Sequence, residues 1–382
     1  MDIWGGARLS GRIGKYSLGI LNLQTKPVDD DQDTPAADES QPGNNFGVVR
    51  VKRDILANSD IGAILVNRQA SSGRDFNRAW GADANFRFGQ NFTINGYLAQ
   101  TKTDGVSGDD RAEKLTVQWW DSFLRWQTIY SNNQEHFNPE MGFQGYAQWK
   151  GARSIRYVTE LHPRPPRNRI IRELLPHYRF LIIMDQAGRT VFKEGHYAFM
   201  EVQFQNGSVI EFLYAPFFDR LERPSEIAPG VILPPGGYQY GIWDLQVDTD
   251  PSRILSAVSI FRRGDYYTGR LRSIDVTGTF RPNYRFSAQA NVTDSDVNLP
   301  EGAFTTRLFR TRLTYSFNTR MFLNALVQYN NTRKQVTSNI RFNFIHRPLS
   351  DLFVVYNEAR EVSGARRTDR AVTIKYTHLL AF

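Results

Sequence analysis

Cysteine is absent from the chain, and so is any run of eighteen apolar residues. The first absence removes disulfides and thiolate metal sites, and it suits a chain that crosses an oxidising compartment, where a stray thiol can mispair. The second removes transmembrane helices, which need about 20 apolar residues in succession. Membrane strands are untouched by it, because a strand that alternates polar and apolar residues keeps a low average. Mean hydropathy here is −0.47, which such strands tolerate.

Catalytic signatures are missing too. The chain has no GxSxG, no HExxH and no Walker-type glycine loop; GRIGKYSLG (11–19) has the glycines but neither the spacing nor a following helix. Six histidines, at 136, 162, 177, 196, 346 and 378, are scattered. Met1 is followed by DIWGGARLSGRIGKYSLGILNLQ, without a charged n-region, an apolar core or a small-residue cleavage site, so no secretory signal stands there. The one stretch with a helical look, RNRIIRELLPHY (167–178), is confined by prolines at 163, 165, 166 and 176. Net charge is +8 and the pI about 9.6, yet the basic residues stand singly among apolar ones. That pattern places them on one polar face and excludes the continuous basic stripe of a nucleic-acid interface.

What is present is strand alternation from Asp2 to the end. Tyr284, Phe286, Ala288, Ala290 and Val292 alternate with Arg285, Ser287, Gln289 and Asn291, and Phe309, Thr311, Leu313, Tyr315 and Phe317 with Arg310, Arg312, Thr314 and Ser316. Met321 to Tyr329, Ile340 to Phe344, Ala82 to Phe88 and Leu115 to Trp119 repeat the design, with one face lipid-like and the other wet. Aromatic content is 13%, as interfacial girdles require. The chain stops on the same pattern: in YTHLLAF (376–382) one face carries Phe382, Leu380, Tyr376 and, further back, Ile374. A soluble chain more often ends in a frayed polar tail, although the last strand of a soluble sheet would also read this way.

Connections alternate in length. Short turns fall at 12–15, 58–60, 89–91, 120–122, 205–207, 250–252, 281–283, 317–319 and 347–350, and longer polar loops at 27–45, 70–76, 102–110, 131–143, 221–238, 295–302 and 361–369. Short turns on one side and long loops on the other are the habit of an outer-membrane barrel. The Pro- and Arg-rich connection 159–175 is long on the short side, and 186–190 and 262–265 are short on the long side. The expectation is an all-β, antiparallel transmembrane β-barrel, one domain over 1–382, with about 21 strands visible. If the last strand ends on the short-turn side, the first also runs toward it; single-chain bacterial barrels have even strand numbers, so the chain is expected to be truncated at its N-terminus, with more strands upstream.

Candidate site residues fall in four groups. Asp29, Asp31 and Asp33 in DDDQDTPAADES (29–40) occupy the first three ligand positions of a calcium loop but lack its glycine and terminal glutamate, which leaves a solvated acidic loop or loose cation binding. Glu135, His136 and Glu140, around HFNPEMGF (136–143), are the carboxylates and imidazole that acid–base chemistry would need; the plainer reading is an ordered loop set by Asn138, Pro139 and Gly142. Arg87, Arg125, Arg270, Arg272, Arg285, Arg310, Arg312 and Arg341 are read as inward-facing, either neutralised by acids such as Asp83 and Asp275 or lining an anion- or sugar-attracting channel. The loop 220–241, apolar at Val231, Ile232 and Leu233, either folds into the lumen or meets a partner.

The stretches NRAWGADANFRFGQNFTINGYLAQT (77–101), HFNPEMGF (136–143) and IHRPLSDLFVVYNE (345–358), with YTHLLAF, resemble the uncharacterised barrel module that follows a family-9-like carbohydrate-binding domain in bacterial outer-membrane proteins. The resemblance implies a bacterial outer-membrane location and an upstream sugar-binding-like domain; it supplies no catalytic residues and no cofactor. The expected partners are outer-membrane lipid, a polar or carbohydrate ligand, and the barrel-assembly machinery, whose recognition signal Phe382 resembles. The function expected is a conduit or surface receptor. The competing readings are a hydrolase-associated barrel with a rim site and an anchor that displays the upstream domain.

Overall fold

The computed structural model describes residues 2–27, 42–73, 75–140, 151–363 and 367–379. Among them there is no helix; twenty-four strands make a 22-stranded sheet and a separate two-stranded one. The chain divides into two compact units, Met1–Glu160 with Arg179–Lys193, and Leu161–Tyr178 with Glu194–Phe382.

The first unit is an antiparallel meander. Ile3–Ile13, Tyr16–Thr25, Asn44–Ile55, Ser59–Ala70, Phe76–Phe88, Phe92–Thr103, Arg111–Trp120 and Leu124–Asn133 each pair with the next. Ala152–Leu161 pairs with His177–Asp185. Where a turn is tight, glycine supplies a left-handed residue: Gly89 closes 89–91 at φ 61°, which costs a Cβ-bearing residue more. The second unit repeats the plan from Val209–Leu221 through Gly236–Asp248, Leu255–Tyr266, Gly269–Asn283, Phe286–Leu299, Gly302–Asn318, Met321–Asn330, Gln335–Arg347 and Ser350–Glu361 to Thr368–Thr377. Ile3–Ile13 has one strand partner and Thr368–Thr377 has one, so the described residues establish an antiparallel sheet.

Register explains the alternation. In the second unit Leu245, Phe261, Ile274 and Val276 share a face with Val292 and Phe309, while Asp275, Thr277, Asn291 and Thr293 share the other. The first face is open: Leu245, Phe261, Val292, Phe309, Leu313 and Phe317 are all exposed. In the first unit Val51, Ile61, Leu98, Leu115 and Trp119 are exposed likewise. Val372, Ile374 and Tyr376 continue this at the end of the chain; Leu380 and Phe382 lie outside the described residues.

Three expectations change. The count of about 21 strands rises because two connections hold strands of their own. The Pro-rich connection carries Ile171–Leu174, which pairs with Val202, Gln203 and Phe204. The loop 220–241 folds into the hairpin Ser225–Ala228 and Val231–Leu233. In it Val231 and Leu233 are buried against Val297 and Leu299, with Tyr238, Tyr267 and Phe304 around them, and only Ile232 stays exposed. This also removes the loop expected at 295–302: Phe286–Leu299 runs on beneath the hairpin and turns at once into Gly302–Asn318. Gly302, at φ 147°, lies so close that an added Cβ would stand 3.0 Å from Val231 Cγ2. Tyr284 and Arg285, read from the sequence as the start of a strand, form the turn before Phe286. The amide N–H groups of Arg285 and Phe286 donate to Asn283 Oδ1, an Asx turn that sequence alternation cannot reveal.

Candidate functional site

The polar face of the first unit is a ladder of cross-strand bonds. Arg50 meets Asp83 with both terminal guanidinium nitrogens, Nη1 donating to Oδ2, and Nη2 to Oδ1 at 2.7 Å. The strand between them makes room: at Gly62 an added Cβ would stand 2.7 Å from Arg50 Nη2. Lys52 pairs with Asp60 at 3.0 Å, Gln127 donates to Gln118 at 2.8 Å, and Ser131 and Ser154 meet at 2.7 Å. Glu160, buried, accepts from Arg125 Nη1 at 3.0 Å and from Arg179 Nη2 at 2.8 Å. Arg125 also lies 4.0 Å over the Trp120 ring, which adds a cation–π attraction.

In the second unit Asn291 donates to Asp275 and to Thr277 Oγ1, both at 2.9 Å, and Thr293 donates to Asp275 at 2.6 Å. Arg310 stands opposite Asn291, Arg312 opposite Gln289, and Arg341 opposite Asn324, so all three belong to this face. In the first unit Arg87 shares a face with Asp83 and Asn85. Among the described residues no ion pair engages Arg87, Arg310, Arg312 or Arg341, and all four are exposed. Arg125 is neutralised by Glu160. Arg270 and Arg272 are corrections: the register from Arg270 to Phe280 is unbroken, so both share a face with Ile274 and Val276 and oppose Asp275. Arg285, in its turn, lies over the Tyr284 ring instead of lining the polar face.

At the loop end, His136 and Glu140 have separate engagements. His136 Nδ1 donates to the carbonyl of Gly108 at 3.0 Å. Glu140 pairs with Arg68, whose Nη2 also donates to Asp75 Oδ1 at 2.7 Å. Among the described residues no hydrogen bond or ion pair joins His136 to Glu135 or Glu140. Asp29, Asp31 and Asp33 lie outside the described residues.

The Arg68 guanidinium holds the Asp75 carboxyl below the usual carboxylate range. A depressed folded value means that the pair stabilises this loop above the ordinary carboxylate pKa and is lost as pH falls through the lower folded one. Arg68→Ala is therefore expected to speed limited proteolysis in the connection that carries Asp75 by about 5-fold, as ~1 kcal/mol for a partly exposed network implies. The wild-type cleavage rate should stay flat between pH 7 and pH 5 and rise only below about pH 4. Equal rates in both proteins would remove Arg68 as the pin of this loop.

A cluster not anticipated from the sequence gathers at the start of His177–Asp185. His177 Nε2 and His196 Nε2 each lie 3.4 Å from Glu211 Oε1. Glu201 Oε2 is 3.5 Å from His177 Nδ1. The two imidazoles stack with centroids 4.8 Å apart, 18° from parallel. Thr190–Phe204 brings both His196 and Glu201, although their spacing of five is odd. Phe199 and Met200 are consecutive and both exposed, so the alternation changes phase there and returns Glu201 to the face of His196.

No protein-family model and no curated protein sequence matches the chain.

Proposed function

We propose that the chain is an outer-membrane β-barrel that acts as a conduit or surface receptor for polar ligands, carbohydrates among them. The carrying observation is the segregation of faces: large apolar side chains stand exposed on one, while cross-strand polar ladders and Arg310, Arg312 and Arg341, which no ion pair engages among the described residues, stand on the other. Exposed apolar area on this scale is a liability in water and a match for acyl chains. The opposite face, wet in this reading, would draw in anions and hydroxyl-rich solutes, because unpaired guanidinium groups set the sign of a pore. The separate engagements of His136 and Glu140 favour this reading over a rim hydrolase, which needs its acid and base on one substrate.

The test is the full chain reconstituted in planar bilayers. Discrete conductance is expected, with a reversal potential in a salt gradient that favours the anion. Combining Arg310→Ala, Arg312→Ala and Arg341→Ala should move that potential toward zero or toward the cation. A bilayer that stays silent at all potentials, with and without added oligosaccharides or organic anions, would count against the conduit.

A further inference from the structure

The geometry points to a divalent transition-metal site, of zinc type, held by His177 Nε2, His196 Nε2 and Glu211 Oε1, with Glu201 orienting the first imidazole. His177 Nδ1 lies 3.0 Å from the carbonyl oxygen of Leu175. A carbonyl oxygen only accepts, so Nδ1 carries the proton and the lone pair of the neutral ring is on Nε2, the atom that faces Glu211. A second group that fixes the tautomer and plane of a ligating histidine is the usual support of a metal site. Here it comes from the chain backbone, and Glu201 Oε2 adds a carboxylate 3.5 Å from the same nitrogen.

The spacing is that of a coordination shell. A tetrahedral zinc ion with bonds of about 2.0–2.1 Å holds its ligand atoms about 3.3–3.4 Å apart. Two of the three edges, His177 to Glu211 and His196 to Glu211, are 3.4 Å, and all three ligand atoms fall within 4.8 Å of one another. The third edge is at most 4.8 Å, and His196, whose side chain is 30% exposed, has solvent beside it in which to turn. The His177 side chain is 1% exposed and that of Glu211 14%. Two nitrogens and a carboxylate oxygen suit zinc, which accepts a three-residue set and completes its shell with water or a ligand group.

Such an ion would tie the Pro-rich connection, which ends at Leu175 and His177, to Thr190–Phe204 and Val209–Leu221. The backbone already marks this junction, with Leu175 N–H donating to the carbonyl of Glu201 at 2.8 Å. The proposal is independent of the conduit reading, since it concerns binding and not conductance.

The test uses the purified full chain, stripped with a chelator and titrated with zinc against a chromophoric competitor. One zinc per chain is expected, with affinity falling about 100-fold or more in His196→Gln and in Glu211→Gln and about 10-fold in Glu201→Gln, while His136→Gln matches wild type. Cobalt in the wild-type chain should give the intense visible bands of a four-coordinate site, a readout that needs no variant to fold. No stoichiometric zinc, folded His196→Gln and Glu211→Gln proteins that bind as wild type does, or a pale six-coordinate cobalt spectrum would each overturn the site.

Discussion

Glu160→Ala is expected to cost about 3–5 kcal/mol of stability, because it breaks a buried charge-paired cluster on the first unit's polar face. The Glu160 side chain is 5% exposed and, among its bonds to described residues, accepts from Arg125 Nη1 and from Arg179 Nε and Nη2. Its removal takes from both guanidinium groups the carboxylate they share. Both arginines are partly solvated, at 37% and 46%, so water recovers some of the loss and the effect belongs near the lower end of that range. Glu160→Gln keeps an acceptor and loses the charge; about 1–2 kcal/mol is expected. In detergent, urea titrations read by tryptophan fluorescence should show the midpoint falling with an unchanged slope. A shift under about 1 kcal/mol for the alanine variant would mean that the triad is a surface decoration.

Leu233→Ala is the second large effect. Leu233 is fully buried, at 0% exposure, between Val231, Val297 and Leu299. Truncating a leucine in such a position costs about 2–5 kcal/mol, the transfer term plus the void left behind. The void lies under a hairpin of only two short strands, Ser225–Ala228 and Val231–Leu233, whose other buried anchor is Val231. The hairpin is therefore expected to open before the sheet does. Protease should cut at 222–235 at least about 10-fold faster, as ~1.4 kcal/mol or more of lost local stability implies, while the unfolding midpoint of the sheet moves less. Leu233→Ile, which conserves volume, should stay within about 1.5 kcal/mol of wild type. If Leu233→Ala left cleavage unchanged, the hairpin would be anchored by something other than its apolar side chains.

Which features could be read in advance follows from the range of the interactions behind them. Strand period is local: Phe309, Leu313, Tyr315 and Phe317 against Arg310, Arg312 and Ser316 state their faces without help from any partner, and the register leaves them so. Turn chemistry is local as well, so Gly89 and Gly207 mark their turns in the sequence and carry positive φ in the structure. Arg270 shows the limit. Its strand begins among arginines, and only the unbroken pairing from Arg270 to Phe280 reveals that it shares a face with Ile274 and not with Asp275. The loop at 220–241 shows another: its apolar centre announced a burial, and the burying surface, Val297 and Leu299, lies more than sixty residues on.

The histidines mark the same boundary most plainly. Residues 177, 196, 201 and 211 have no spacing that a metal motif would use, since two lie on one strand with a change of phase between them and the others come from separate strands. By itself, the sequence determined the all-β class, the antiparallel alternation and the division into an apolar and a polar face, because each rests on a period of two that every strand carries internally. Only the tertiary structure decided which arginines are neutralised, what the hairpin covers and that two imidazoles and two carboxylates meet. Those depend on which strand lies beside which and in what register, and one residue of slip would send each of these side chains to the opposite face.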